Sequence, residues 1–516
     1  MQQKTINRGN TSTNYTLPAP TGGLNVRDSL DTMEEADAIV MDNYLPSETK
    51  VLLRRGYTSY TVLGAKIRTL LEYKKPAHER FFACGGGKVW DISSKEYVKE
   101  VASGFNSNDW QYCQFKDRLI LVNGYDAPQT FYVSDGEEHW EDASFSGNNL
   151  LAQKLINVAV CKQRLFFVEK GTLSAWYSQG AGEVQGTVVK FDLSSVFRRG
   201  GELLAVASWT QDAGQGMDDL TVFITSEGEV AVYTGNDPGD ASDWSLRGVY
   251  QMSRPIGYRC TMQYQGDIVI ISEDGYIPMS KALSLDKANA SQVSFSDKIR
   301  GLVLERTKDG RNKFGWQSVI YGRGGYAIFN VPVAQQFEQH VVNVSTGAWC
   351  RFTNIRAFCW SLFGDRLYFG SDEGVFLFDE GYADNGIHIC GVVEQAYSNL
   401  GNPNLKRIQL INPRTKASAK YALVVYTNMD FDSKDQAYAE NIGTGGITKW
   451  DKASWSSLKN QIGTKWATLK GKIRSQWIGN SATGFKASVV FKTKTRGNLI
   501  EWYDTGFRYE QGSSIL

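Results

Sequence analysis

The chain has 516 residues, with 56 Lys and Arg against 55 Asp and Glu, a formal net charge of +1 and 42% hydrophobic residues. That balance belongs to an ordinary globular chain and not to a disordered or fibrous one, while the near-zero net charge says little about partners. Aromatics at 12% and 51 glycines against 11 prolines fit many short strands joined by tight turns.

In chain order, residues 1–20 are polar and read as an extended arm that needs a partner surface to become ordered. The opening lacks an apolar core, so no signal peptide is expected, and no run of 18 apolar residues predicts a membrane-spanning helix. Residues 33–41 predict one or two helical turns, with Asp31 or Thr32 as N-cap and Pro46 as the stop. Residues 50–57 predict a strand and a turn.

A strand–turn–strand unit then recurs. Its clearest copy is 363–379 (FGDRLYFGSDEGVFLFD), in which Gly and Asp supply the turns and Arg366 to Phe369 and Val375 to Phe378 are the strands. Looser copies stand at 80–91, 115–133, 162–177, 220–233, 267–277 and 324–349. A repeat at roughly 40–50 residues is the spacing of propeller blades, whose hairpins must stack radially to bury both faces. The predicted fold class is all-β: an N-terminal arm and lead-in (1–59), a β-propeller (60–385) of open blade number, and a C-terminal β-sandwich-like domain (386–516).

The last region differs in charge as well as rhythm. Residues 401–516 carry 18 basic and 8 acidic side chains, a balance of +10, which leaves 38 and 47, or −9, for the remainder. Strands are expected at 407–411, 421–426, 487–491 and 500–503. Between them the polar stretch 443–477 holds Trp450, Trp455, Trp466 and Trp477, with Lys452, Lys459, Lys465, Lys470, Lys472 and Arg474. Four tryptophans in so hydrophilic a stretch need burial, either on their own domain or, in a projecting tongue, on a neighbouring subunit. The basic residues then form a candidate inter-subunit or channel surface facing DNA or acidic protein.

Motifs for chemistry are largely missing. Gly85-Gly86-Gly87-Lys88 runs into a strand and not into the helix that a phosphate loop requires. His78, His139, His340 and His388 are far apart, with no HExxH and no nucleophile elbow. The turns at 236–240 and 430–435 place carboxylates as hard-cation sites do, without the EF-hand pattern. The seven cysteines are scattered, without CxxC, as buried reduced thiols. No enzyme activity, cofactor or metal is expected.

Residues 22–30 (GGLNVRDSL) and 37–57 (DAIVMDNYLPSETKVLLRRGY) resemble the opening of tail hub proteins of short-tailed, podovirus-type bacteriophages. Residues 232–250, followed by Pro255-Ile256-Gly257, are similar to the same group, the nozzle or tail tubular protein B proteins. The resemblance implies a virion protein, made in the host bacterial cytoplasm and assembled as a hexameric ring below the portal and adaptor. Such a ring closes the DNA exit channel and carries fibres or tailspikes. It passes double-stranded DNA without sequence readout and meets the host envelope at its distal end. The rival reading is a monomeric β-propeller that binds glycan or protein.

Overall fold

A computed structural model describes residues 12–212, 217–264, 266–282, 295–333, 336–418, 421–434 and 472–511. These residues form two compact units, drawn from Ser59–Gln339 with Asn354–Leu377 and from Met1–Thr58, His340–Thr353 and Phe378–Leu516.

The first unit is a β-propeller. Six separate antiparallel sheets are its blades, each numbered from its inner strand outward. Blade 1 is Ile67–Lys75, His78–Gly85, Lys88–Ser94 and Tyr97–Ser103. Blade 2 runs Gln111–Phe115, Arg118–Val122, Gln129–Ser134 and Glu137–Asp142, and blade 3 runs Leu155–Cys161, Arg164–Glu169, Ser174–Ser178 and Gly186–Asp192. Blade 4 is Leu203–Asp212, Met217–Thr225, Glu229–Thr234 and Ser245–Gln251, while blade 5 keeps only Thr261–Tyr264, Asp267–Ser272 and Gly275–Pro278. The closing blade joins Cys359–Phe363, Arg366–Gly370 and Gly374–Phe378 to Tyr57–Val62, a strand from the far end of the sequence. Between blade 5 and the closing blade, the ladder of Gln317–Tyr321 and Tyr326–Val333 fills the remaining sector, its inner strand packing on the inner strands to either side.

Inter-blade packing explains why the strands read as apolar runs and not as strict alternation. Successive side chains point to opposite faces of a strand, and here both faces meet another blade. In blade 2, Leu119 and Leu121 join Leu71, Tyr73 and Phe82 of blade 1, whereas Ile120 and Val122 join Val158, Leu165 and Phe167 of blade 3. In blade 3, Phe166 and Val168 turn the other way, to Val206, Phe223 and Trp244. The ring closes where Ile67, Phe81 and Ala83 pack on Cys359, Tyr368 and Val375. At the last hairpin, a Cβ on Gly374 would stand 2.2 Å from the Thr61 carbonyl oxygen, so the closing strand lies against bare backbone.

The second unit is a two-sheet sandwich. One sheet contains Lys406–Ala417, Ile500–Gln511, Val51–Leu53 and Tyr44–Pro46, with Lys472–Ser475 and Ile478–Gly484 along the free edge of Lys406–Ala417. The other contains Trp349–Phe352, Gly23–Leu24, Asp37–Asp42, Ile389–Gln395, Ala487–Thr495 and Ala422–Met429. Between them Phe491 stacks on Trp502 with centroids 4.6 Å apart, and the Tyr44 and Thr493 hydroxyls lie 2.7 Å apart.

Two expectations change here. Residues 33–41 are not helical: Asp37–Asp42 is a strand, parallel to Gly23–Leu24 and antiparallel to Ile389–Gln395. Its Ala38 and Met41 are fully buried, so tertiary pairing overrides the local helix pattern. The arm and the C-terminal domain also belong to one unit and not two. Ser12–Pro18 pairs residue by residue with 504–510, so this described part of the arm lies on the chain's own C-terminal strand.

Candidate functional site

Of the surface expected at 443–477, Trp450, Trp455, Trp466, Lys452, Lys459, Lys465 and Lys470 lie outside the described residues. Lys472 and Arg474 sit in the edge strand Lys472–Ser475, paired with 414–417. Arg474 is exposed, Ile473 is 69% exposed, and Trp477 is 45% exposed. A Cβ on Gly506 would lie 3.7 Å from the Trp477 ring, so the indole rests on bare sheet backbone.

The residues that carried the resemblance are fold locks. The Asn25 side chain donates to Asp37 (2.7 Å) and Asp28 (2.8 Å), with Asn25 and Asp37 both buried. Arg351 holds Asp42 through two bonds of 2.7 and 2.8 Å. Arg54 donates to both oxygens of Asp384 (2.8 and 2.6 Å) and to Asn43 Oδ1 (2.7 Å). In the other passage Arg164 pairs with Asp237 at 2.8 Å, and Asp243 accepts from the backbone N–H groups of Asn236 and Asp237. The carboxylates of the 236–240 turn are thus occupied by protein donors, as is Asp430, which accepts from the Phe485 and Lys486 amides.

The histidines do not converge. His139 stacks on Tyr132, His340 is buried in the sandwich unit, and burial next to Lys494 and Arg496 lowers the His388 pKa. Among the described residues no group of three or more His, Cys, Asp or Glu is placed to hold a metal ion.

The propeller unit contributes a site that the sequence reading does not single out. Its inner strands enclose a cavity of about 360 Å³ with polar walls from Thr69, Gln111, Tyr112, Asn157, Ser208 and Gln263. Tyr112 keeps 37% exposure inside the ring because it faces this cavity. At the rim where the inner strands begin, a second hollow of about 510 Å³ shares Gln111, Tyr258 and Arg259 with the first. Phe314 lines the second hollow, with the Arg68 guanidinium 3.9 Å and the Arg259 guanidinium 5.3 Å from its centroid. Arg259 is fastened by Nη2 to Thr69 Oγ1 (2.6 Å) and the Trp110 carbonyl (3.0 Å), and by Nη1 to the Arg68 carbonyl (3.2 Å). Burial pulls its pKa down from the ordinary arginine value, against the opposing pull of Cys359, Asp109 and Tyr112. Burial and the neighbouring Glu202 push the Tyr258 phenol up to about 12.

These rim residues are dispersed over most of the propeller sequence, so no local motif marks them. One signal was available: Arg68, Asp109, Glu202, Arg259 and Phe314 each stand at or just before the start of an inner strand, where a blade presents side chains to the rim.

Fold and site together define an all-β protein with a β-propeller unit and a β-sandwich unit. No family model matches the chain, and no curated protein matches it. Among solved structures, it is similar to BBS1N in complex with ARL6DN, at 9% identity and TM-score 0.38 over 64% of this chain and 99% of that one. It is similar to Sqt1 of Saccharomyces cerevisiae at 11% identity and TM-score 0.36, covering 63% and 98%. It is also similar to an exo-beta-1,3-galactanase of Phanerochaete chrysosporium at 9% identity and TM-score 0.28, covering 77% and 95%. At these scores the likenesses carry no argument about function.

Proposed function

We propose that this chain is a structural protein of a short phage tail, assembling with copies of itself into a hexameric nozzle ring. In that reading the ring adjoins the adaptor on the portal side and carries fibres or tailspikes. Its distal end meets the host envelope, and it holds and then conducts the packaged DNA. The observation that carries the reading is the coincidence of the phage-like passages with the side-chain locks Asn25–Asp37 and Arg54–Asp384, both buried, and Asp42–Arg351 and Arg164–Asp237, which are partly exposed. Several residues of those passages are thus side chains that fix backbone geometry, which makes the resemblance one of architecture.

The propeller bore itself is not the conduit. A cavity of about 360 Å³ holds on the order of a dozen waters. Phe314, with two guanidinium groups near its ring, lines the adjoining hollow. In that reading the DNA path is the centre of a ring of copies, where backbone electrostatics without base readout let every sequence slide. Quantitative mass spectrometry of density-purified particles tests the reading. About half as many copies as a dodecameric portal supports it, and absence from particles that contain portal overturns it. The rim favours the second reading, a monomeric binding propeller, which a monomeric mass together with saccharide binding would support.

A further inference from the structure

The rim hollow has a charge excess that the protein only partly neutralises. Its lining holds Arg68, Lys170, Arg259, Arg311 and Lys313 against Asp109 and Glu202. Arg68 is paired with Asp109, and Arg311 with Glu273 just outside the lining. Glu202 accepts from the Gly171 amide at 3.0 Å, with the Tyr258 hydroxyl 3.5 Å away. Among the described residues no carboxylate pairs with Lys170 or Lys313. The Lys170 ammonium instead sits 3.4 Å from the centroid of Tyr125, a ring that is 58% exposed. Two unneutralised amines, a fixed guanidinium behind them, and the aromatic faces of Tyr125, Tyr258 and Phe314 thus line one hollow of about 510 Å³. That volume is of the size that takes small molecules, and cations beside aromatic faces suit a ring that bears an anion.

We infer that this rim binds a sugar-sized molecule carrying a carboxylate or phosphate, with the anion on Lys170 and Lys313 and the ring against Tyr125. The inference does not rest on ring assembly, and either can fail without the other.

Calorimetric titration of the full chain with glucuronate, glucose 6-phosphate, inorganic phosphate and glucose tests it. At least one anionic sugar is expected to bind with a dissociation constant of about 1 mM or tighter, with glucose at least about tenfold weaker. Preference between the two anionic sugars assigns carboxylate or phosphate. Lys313→Ala is expected to weaken the bound sugar by about tenfold, the worth of one charge-assisted hydrogen bond. Lys170→Gln, which removes the ammonium beside Tyr125 and keeps a polar side chain, is expected to do the same. No binding of either anionic sugar, equal binding of inorganic phosphate, or an affinity unchanged in the folded variant that combines Lys170→Gln with Lys313→Ala overturns the inference.

Discussion

Arg54 and Asp384 are each 4% exposed, and the Arg54 guanidinium also reaches Asn43 and the Thr353 carbonyl. Removing one partner of such a pair leaves the other charge buried, whereas replacing both with apolar side chains removes the desolvation cost as well. Arg54→Ala or Asp384→Ala alone should therefore lower unfolding stability by about 3–5 kcal/mol. Arg54→Met combined with Asp384→Leu should cost clearly less than the sum of Arg54→Met and Asp384→Leu measured singly, and a denaturant-melt double-mutant cycle over these three variants reads the difference. A sum-like loss would mean that the pair is not the lock described. The buried thiols make a second residue-scale prediction. Burial raises Cys161, Cys260 and Cys359 to about 12, and Cys84 and Cys350 well above the ordinary thiol value. Their neutral forms contribute stability in full below the unfolded value near 9, and that contribution is lost as pH rises through about 12. A thiol reagent at pH 8 should leave these five silent in the folded chain; Cys113 and Cys390 are partly exposed, but burial raises both thiols as well, Cys113 to about 12, so they should react only slowly. Rapid modification of any of the five would contradict the burial.

At the scale of the element, Gly374 is where the propeller closes on a strand from the other end of the chain. Gly374→Val drives a side chain at the Thr61 carbonyl and should destabilise the closing blade by about 1–3 kcal/mol. Hydrogen exchange would show the loss first in Tyr57–Val62 and Gly374–Phe378; unchanged protection there would refute this account of the closure. The middle hairpin of that blade, Arg366–Gly370 with Gly374–Phe378, is legible in the sequence because both strands and the turn lie within one short window. Its outer strand is not, since the partner of Gly374–Phe378 precedes it by most of the propeller. The same distance hides Asp37–Asp42, whose acidic lead-in and Pro46 stop mimic a helix while its partner Ile389–Gln395 is remote. The rim is hidden for a related reason. Lys170, Arg259 and Lys313 meet only through the circular order of blades, which local spacing does not encode.

For the whole molecule, the chain path through the propeller has one interruption. Residues His340–Thr353 belong to the sandwich unit, and there Val341, Val342, Trp349, Cys350 and Phe352 are each at most 1% exposed. A propeller cut out as residues 57–377 keeps these five side chains without the sheets that bury them. It should be poorly soluble for that reason and not because its blades fail. The ends of the interruption are close: the Gln339 side chain donates to the Ile355 carbonyl at 3.1 Å, and to Asn330 Oδ1 at 2.9 Å. The Trp360 indole also donates to that Asn330 oxygen, at 3.0 Å, so the lock between the Gln317–Tyr321 ladder and the closing blade lies wholly within the propeller unit. Replacing 340–353 by a short Gly/Ser linker should therefore give a soluble domain that melts cooperatively, because loop closure over so short a span costs little. Circular dichroism and size-exclusion chromatography of the two fragments decide this: a linked fragment as insoluble as the uninterrupted one would show that the propeller depends on the sandwich. If the linked fragment folds, its assembly state bears on the ring proposal. It lacks the exposed edge carrying Ile473, Arg474 and Trp477. Native mass spectrometry should then find it monomeric where the full chain forms rings, and a linked propeller that still assembled would move the ring contacts to the blades.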